Sequence, residues 1–447
     1  MLSVPQAAAG AIAAVAALAI AVGSCVPANA GPVAMKRATA AGARGSAAST
    51  FTVLHAFVGP DGSTPQGALD LAIQYNGNGG FTRTIYGTTL SGGATLEGSI
   101  YTDVIGSNAF ATVHSMFGPS EGSSPTGGLA SNATDYFPAG FSQLGVNNSG
   151  GAALFGTVFA TSAAGAVRVV HSFSGGADGG NPVGRMTQFI DGNAYGTTSN
   201  GANGYGTIFR VTPSGQFSTV YTFTGGADGG SPVAGLSLRV SIFPHVAAQT
   251  DPSGDAALQQ ARAYNNRQFV SPYLYGTTSG ANGNSGTIFR FDPATKRLQT
   301  IYAFTGGNDG GSPAAELSSD LSGDLYGTAS SGGVGSAGVV FVLNKADKFV
   351  VLRAFRGSDG ATPLAPITVG INGNLYGTTS SGGGNGNGNV FRFSNNNQSF
   401  TILHDFTGGM DGATPAGKLL DGLDGNVYGT TENGGANGMG VLFTTPG

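Results

Sequence analysis

The feature that most constrains the fold is a unit of about fifty residues that occurs seven times after residue 50. Each unit contains, in order, an Asp-Gly-x-x-Pro turn, a Tyr-Gly-Thr word, a Gly-Thr-Ile-Phe word and a strand that ends in an aromatic residue. Glycine-punctuated, strand-like repeats of about 40–50 residues are typical of propeller blades. The turn word begins, at intervals of 60, 57, 50, 81, 50 and 52 residues, at Asp61, Glu121, Asp178, Asp228, Asp309, Asp359 and Asp411.

Each unit offers four strand-like runs, which are rich in β-branched and aromatic residues and are bounded by turn formers. The first run follows the proline, and the others contain the remaining three words. Good examples are Pro313–Leu317, Asn374–Thr379, Gly286–Phe291 and Leu298–Phe304. The only helical pattern is a short one at Asp255–Tyr264. We therefore predict four-stranded antiparallel blades.

The two ends of the repeat region complement each other. The last unit stops after its third strand, at Val441–Phe443, and so lacks a fourth. The segment Phe51–Phe57 nearly repeats the fourth-strand sequence Phe400–Phe406. We predict that this N-terminal strand completes the last blade, because a closed ring hides both edge strands. The predicted fold is all-β, a seven-bladed β-propeller.

The N-terminal part of the chain predicts export. Residues 7–22 form an apolar run that is shorter than the ~20 residues of a membrane span, and small residues follow it up to Ala30. We predict a signal peptide over residues 1–30, a flexible leader over 31–50 and the propeller over 51–447. The only cysteine, Cys25, lies in a segment that resembles a lipoprotein cleavage box. Cleavage after Ala30 and lipidation at Cys25 both remain open.

One connection varies in length between the units. The distance from the turn word to the tyrosine is 17 residues in four units, but 25, 23 and 47 in the first, second and fourth. The largest extension, at about residues 237–268, carries His245, Asp255 and Arg262. Long loops on rigid scaffolds often carry binding residues. We therefore predict a partner contact there rather than at the glycine-rich loops.

Composition and motifs exclude several classes of function. Charged residues make up 9% of the chain, and 19 Lys and Arg with a net charge of −4 leave no footprint for nucleic acid. Neither an HExxH word nor a phosphate loop is present. A single cysteine removes thiol catalysis and cysteine-ligated metals from the propeller. We predict no catalytic residue, no cofactor and no metal site.

Two repeated polar positions have simple structural interpretations. His55, His114, His171 and His404 share one position of the fourth strand, and a ring separates such positions too widely for zinc, whose ligands lie within about 2.0–2.3 Å. We interpret them as surface or edge-strand histidines. The aspartate of the turn word is interpreted as a turn cap, because one carboxylate per unit is too few for calcium.

The words Leu375–Gly383 (LYGTTSSGG), Gly286–Arg290 (GTIFR) and Phe223–Pro232 (FTGGADGGSP) resemble the GloVer-type extracellular tandem repeats of bacterial choice-of-anchor proteins. The resemblance covers about residues 51–447. The first two units depart most, with Glu121 in place of aspartate and Leu144 in place of tyrosine. The resemblance implies an exported protein with a surface anchor and implies no activity.

The favoured hypothesis is an exported, non-enzymatic, monomeric binding or scaffold module, secreted or at the cell surface, with a protein or glycan partner. The alternative is a carbohydrate-active or other hydrolase or lyase, since enzymes also use this scaffold. An active site would break the repeat with unique polar residues on one face. The candidates for such breaks are Glu97, Glu121, Glu316 and Glu432.

Overall fold

The computed structural model describes residues 50–75, 81–107, 109–131, 141, 143–201, 203–242, 268–394 and 399–447. Seven antiparallel sheets succeed one another around a ring, so the predicted all-β, seven-bladed β-propeller is confirmed. In this part of the chain the helical content is one short segment, α1 (Gly118–Glu121), in the turn that leads into blade 2.

The strands are numbered along the chain, and within each blade they run from the central channel outward. The chain enters through β1 (Thr52–Ala56). Blade 1 contains β2 (Asp70–Tyr75), β3 (Phe81–Thr89), β4 (Ser99–Val104) and β5 (Ala111–Ser115). Blade 2 contains β6 (Ser123–Pro125), β7 (Ala130–Ser131), β8 (Gln143–Ser149), β9 (Thr157–Thr161) and β10 (Val167–Ser172), with β6 and β7 both pairing with β8.

The remaining blades follow the same order. Blade 3 contains β11 (Gly180–Gln188), β12 (Ala194–Asn200), β13 (Thr207–Val211) and β14 (Phe217–Thr222), and blade 4 contains β15 (Ser237–Ile242), β16 (Gln268–Thr278), β17 (Thr287–Asp292) and β18 (Arg297–Ala303). Blade 5 contains β19 (Ser318–Ser319), β20 (Leu325–Ala329), β21 (Val339–Leu343) and β22 (Phe349–Ala354). Blade 6 contains β23 (Thr368–Val369), β24 (Leu375–Thr379), β25 (Asn389–Phe393) and β26 (Phe400–Asp405), and blade 7 contains β27 (Leu420–Asp421), β28 (Asn426–Thr431) and β29 (Val441–Pro446).

The outermost strand of blade 7 is β1, which pairs with β29 in one four-stranded sheet. Thr52 lies opposite Thr444 and Val53 opposite Phe443, with a bulge before His55. Just beyond the strand, the Phe57 amide donates a 3.1 Å hydrogen bond to the Gly440 carbonyl. The predicted pairing between the N-terminal strand and the last unit is therefore present.

In blades 1, 4, 5, 6 and 7 the innermost strand begins later than the sequence predicts, whereas β6 and β11 of blades 2 and 3 include the proline. In blade 5 the expected strand Pro313–Leu317 precedes the observed β19, which has only two residues. The residues after the proline serve the neighbouring blade instead, since the Thr277 hydroxyl of blade 4 donates a 3.1 Å hydrogen bond to the Ala315 carbonyl. The first threonine of the Tyr-Gly-Thr word thus links adjacent blades. Thr197 and Thr328 donate to the equivalent carbonyl of the next blade, and Thr88 and Thr378 donate to the carbonyl of its turn-word proline.

Aromatic side chains form the core between blades. The residue that ends each outer strand packs against the ring on the third strand of the next blade, as Phe173 does against Phe209, with ring centroids 5.3 Å apart. Both residues are fully buried. Since aromatic rings each bury large areas, this repeated contact accounts for much of the cohesion of the ring. The other contacts of this kind between phenylalanine or tyrosine rings are Phe57–Tyr101, Phe223–Phe289, Phe304–Phe341, Phe355–Phe391 and Phe406–Phe443.

At the outer rim, one side chain of each outer strand hydrogen-bonds the acidic residue of the following turn word. We call each such pair a rim clamp. The seven rim clamps are His55–Asp61, His114–Glu121, His171–Asp178, Tyr221–Asp228, Tyr302–Asp309, Arg353–Asp359 and His404–Asp411.

The four histidines lie on the outermost, edge strands, as one of the two interpretations has it, but they are not simple surface residues, because each is half-buried and has a carboxylate partner. Several clamp side chains also stack on a ring of the next blade. The His171 ring lies 3.6 Å from Phe217 and the Tyr302 ring lies 3.9 Å from Phe349. The aspartate therefore holds more than its own turn, since it positions a side chain that contacts the neighbouring blade.

Hydrogen bonds lower the pKa of four of the clamp aspartates. Burial disfavours the charge of Asp309, but hydrogen bonds from Thr305 and from the Tyr302 hydroxyl outweigh it and lower the pKa of Asp309. Burial and the Asp309 carboxylate together raise the pKa of Tyr302 to about 12. The pKa values of the other clamp aspartates Asp178, Asp359 and Asp411 are also lowered, by hydrogen bonds that outweigh burial.

These shifts predict acid sensitivity. A carboxyl whose folded-state pKa lies below its unfolded value of about 3.9 stabilises the fold above that value, and the stabilisation is lost as the pH falls through the folded pKa. We expect Asp309→Asn to lower the free energy of unfolding at pH 7 by about 1–3 kcal/mol, because hydrogen bonds to a charged acceptor are lost. Thermal unfolding from pH 7 to pH 2 should show the gap to wild type closing below about pH 4. The control Asp292→Asn, in an exposed hairpin turn, should lower the free energy of unfolding by less. If the difference between Asp309→Asn and wild type stayed constant with pH, the lowered pKa of Asp309 would not be what stabilises the fold.

Candidate functional site

The propeller has two faces of different construction. Because neighbouring strands are antiparallel, the connections from first to second and from third to fourth strands emerge together on one face, which we call the turn face. The connections from second to third strands and from blade to blade emerge on the opposite side, which we call the glycine face. The long connections of blades 1, 2 and 4 all join first to second strands and therefore leave from the turn face.

The predicted partner-contact residues His245, Asp255 and Arg262, the short helix at Asp255–Tyr264 and the lipidation candidate Cys25 lie outside the described residues. They stay predictions. The ends of the predicted insertion lie in strands, because Ser237–Ile242 is β15 and Gln268 begins β16. The connection between these two strands covers residues 243–267.

A buried arginine fixes the base of this insertion to blade 5. The Arg239 guanidinium donates a 2.7 Å hydrogen bond to Asp347 and lies 4.4 Å above the Tyr275 ring. Arg290 reaches the other oxygen of Asp347 at 3.3 Å. The strands that carry the insertion are thus held by charge pairing with the neighbouring blade.

The central channel breaks the repeat at one position. The third residue after the turn-word proline is small or proline in four blades, whereas it is Arg185, Glu316 and Lys418 in blades 3, 5 and 7. Arg185 pairs with Asp70 of blade 1 at 3.2 Å, and Lys418 pairs with Glu316 at 2.8 Å. Two ion pairs therefore join alternate blades across the channel.

Of the four glutamates that sequence analysis proposed as symmetry breaks, only Glu316 lies in the channel. Glu121 belongs to a rim clamp, and Glu432 accepts a 2.5 Å hydrogen bond from Gln66 between blades 7 and 1. Burial raises the pKa of Glu432, and the hydrogen bond from Gln66 offsets part of this rise. The Glu97 carbonyl accepts a hydrogen bond from the Ser124 amide. The four glutamates do not form one site.

Sequence analysis missed Asp70, Arg185 and Lys418. A signal was available, since an alignment of the seven units shows a charged residue replacing a small one at the channel position of blades 3 and 7. Asp70 lies two positions further along its unit, and its side chain is only 11% exposed.

A cavity of about 760 Å³ opens at the turn-face end of the channel. Its walls are mainly aliphatic and come from blades 1, 5, 6 and 7, with Leu69, Leu71, Leu321, Val369, Ile371 and Leu420 among them. Leu321 and Ile371 are 55% and 65% exposed in the turns at its mouth. A cavity of this size and lining is typical of a small-ligand site.

The mouth of the cavity also carries two aspartates. Asp421 accepts hydrogen bonds of 2.9 Å from the amides of Ile371 and Leu423. Asp320 accepts hydrogen bonds from two turn amides and from the Tyr326 hydroxyl. Within the described part of the chain neither aspartate is in an ion pair. Deeper in the channel a second cavity of about 360 Å³ shares Arg185, Ser319 and Lys418 with the first.

Each channel carboxylate, Asp70 and Glu316, is already bonded to a cation. Within the described ranges no group of three or more histidine, cysteine, aspartate or glutamate side chains is arranged to hold a metal ion. No helix in that part of the chain is both long enough and apolar enough to cross a membrane.

Comparison with known proteins finds one matching family. The model of the Gloeobacter/Verrucomicrobia repeat matches residues 44–258 and 253–443, which confirms the resemblance of the repeats. No curated protein matches the chain.

Solved structures with a similar fold include three distant ones. An oligogalacturonate lyase from Vibrio parahaemolyticus superposes with a TM-score of 0.48 at 9% identity, covering 89% of this chain and 93% of the lyase. A nidogen/laminin complex gives 0.40 at 16% identity, covering 72% of this chain and 94% of the other. TolB from Acinetobacter baumannii gives 0.36 at 13% identity, covering 85% and 79%.

Proposed function

The chain belongs to the Gloeobacter/Verrucomicrobia repeat family, and we propose that it is an exported propeller that binds a ligand at its turn face without transforming it. The partner is a protein or glycan segment at the cell surface, as the sequence suggests. The chain itself is secreted or held at the surface, with Cys25 as the candidate anchor. The observation that carries the proposal is the aliphatic cavity of about 760 Å³ at the channel mouth.

Three features of the turn face support this role. The cavity breaks the sevenfold equivalence of the blades, which a purely structural ring would keep. Exposed aliphatic side chains at its mouth, Leu321 and Ile371, have an unfavourable contact with water that a ligand would relieve. The insertion that carries His245, Asp255 and Arg262 leaves from the same face, where it would add contacts for a larger partner.

The binding role is tested with the neutral apolar dye Nile red. We expect wild type to bind it in the cavity, and Leu321→Asp or Ile371→Asp to weaken binding at least about tenfold, because each places a charge in an apolar wall. The matched control is Val334→Asp, which changes another exposed aliphatic residue of blade 5, on the glycine face. This variant should bind the dye as wild type does. Loss of affinity in the control alone, or no binding by wild type, would refute the proposed site.

The enzymatic alternative is tested separately. Wild-type protein is incubated with a panel of polysaccharides, and new reducing ends and unsaturated products are measured. We expect none. Turnover that disappears in Glu316→Gln, the variant of the channel carboxylate, would establish a hydrolase or lyase and overturn the proposal.

A further inference from the structure

The acidic groups of the cavity outnumber the basic ones, and the two basic groups in the lining lie deeper than the acidic groups at its mouth. Of the groups that line it, Asp70, Asp320 and Asp421 are acidic, whereas only Arg185 and Lys418 are basic. Both basic groups lie deep and are engaged by carboxylates at 3.2 and 2.8 Å. An anionic ligand would have to compete with those carboxylates, so the lining disfavours it.

The two mouth aspartates retain capacity to accept hydrogen bonds. A carboxylate offers about four acceptor positions. The structure gives Asp421 two hydrogen bonds and Asp320 three, mostly from backbone amides that fix the orientation of each carboxylate. Each aspartate can therefore receive a further donor from a ligand, and a positively charged donor most strongly.

A buried hydroxyl without a partner lies one step deeper. Ser318 is 8% exposed and lines the second cavity, and among the described residues its Oγ has no hydrogen-bond partner. The equivalent hydroxyls of blades 3, 4 and 6 each donate to a carbonyl of the next blade, as Ser237 does to Leu317. Since a buried polar group without a partner costs free energy, a ligand that extends from the first cavity into the second and displaces the residues around Ser318 slightly would gain by bonding this hydroxyl.

We propose that the cavity binds a short peptide segment in which apolar side chains flank a basic one. The apolar side chains pack against the wall around Leu69, Ile371 and Leu420, and the basic group hydrogen-bonds Asp320 and Asp421. A backbone amide of the peptide bonds the Ser318 hydroxyl. This inference rests on the proposed binding role and names the chemistry of its ligand.

The test uses three peptides that differ only in charge, acetyl-Leu-Lys-Leu-amide and its versions with glutamine or glutamate in the centre. Each competes with Nile red for the full chain. We expect the lysine peptide to displace the dye at a concentration about tenfold lower than the glutamate peptide. In Asp320→Asn/Asp421→Asn this preference should fall below about threefold, while Nile red still binds. The control Asp191→Asn, in the corresponding turn of blade 3, should keep the full preference.

A second arm separates a peptide from a simple amine. Ser318→Ala should weaken all three peptides several-fold and leave n-octylammonium unchanged, because only the peptides carry a backbone amide. Equal displacement by the lysine and glutamate peptides, with Nile red bound normally, would overturn the charge preference and leave the proposed function standing. n-Octylammonium binding as tightly as the lysine peptide, without an effect of Ser318→Ala, would overturn the peptide assignment. Absence of Nile red binding would instead refute the proposed function itself.

Discussion

Deletion of residues 51–57 is expected to lower the melting temperature by at least about 10 °C or to abolish cooperative unfolding. The deletion removes β1, exposes the edge of β29 and takes Phe57 out of the contact between blades 7 and 1, where it is fully buried. Loss of one buried phenylalanine alone costs about 3–5 kcal/mol. Phe51 is lost too, and its ring stacks on His404 of blade 6 at 3.7 Å. Differential scanning calorimetry measures the effect.

A circular permutant provides the control. Residues 51–57 are attached after Gly447 through the turn sequence Asp292–Lys296, which joins the third and fourth strands of blade 4, and the chain then begins at Val58. All strands are retained and the C-terminal hairpin has the connection that the other blades use. The permutant should recover most of the lost stability. If the deletion variant had the same melting temperature as wild type, the stability of the ring would not depend on β1.

Replacement of Gly377 by alanine should destabilise the protein by about 2–3 kcal/mol, because the added carbon overpacks a close contact. Gly377 belongs to the Tyr-Gly word of blade 6 and lies directly opposite Phe391 on the neighbouring strand. A Cβ at this position would come within 2.4 Å of the Phe391 ring. The tip of the ring faces the glycine, and the ring is itself packed against Phe355 of blade 5, which limits its movement.

The matched control is Gly409→Ala, where a Cβ would meet only the Thr407 hydroxyl at 3.3 Å. Urea unfolding should show less than about 1 kcal/mol for this variant. In the double variant Gly377→Ala/Phe391→Leu the alanine should cost less than it does beside phenylalanine, because leucine leaves room for the new methyl group. If Gly377→Ala lowered the free energy of unfolding as little as the control does, close packing of the Phe391 ring would not explain why the repeat has glycine at this position.

The reason for the repeated glycine could be predicted from the sequence in part. The Tyr-Gly word predicts a close approach at a blade contact. The atoms that exclude a side chain at Gly377, however, belong to its own blade. They are the Phe391 ring, which in turn faces the preceding blade, and the Ile367 side chain. The glycine and the aromatic residue are 13 or 14 positions apart in every unit, so the pairing could have been predicted from the antiparallel register.

The rim clamps could also have been predicted from the sequence, although the sequence analysis did not identify them. Each clamp joins residues only six or seven positions apart, such as His171 and Asp178. The outer-strand position is occupied by histidine, tyrosine or arginine, and all three side chains can donate a hydrogen bond to a carboxylate. This shared capacity, rather than metal ligation or mere exposure, explains why the position tolerates these residue types and no apolar one.

Sequence alone determined the number of blades, their strand content and the strand that completes the last blade, because these properties depend on local periodicity repeated seven times. The channel was decided only by the tertiary structure. Asp70 and Arg185 are 115 residues apart, and Glu316 and Lys418 are 102 residues apart, in blades that are not neighbours along the chain. Such pairs form because the ring brings the inner positions of alternate blades to one axis, and no spacing within a single repeat contains that information.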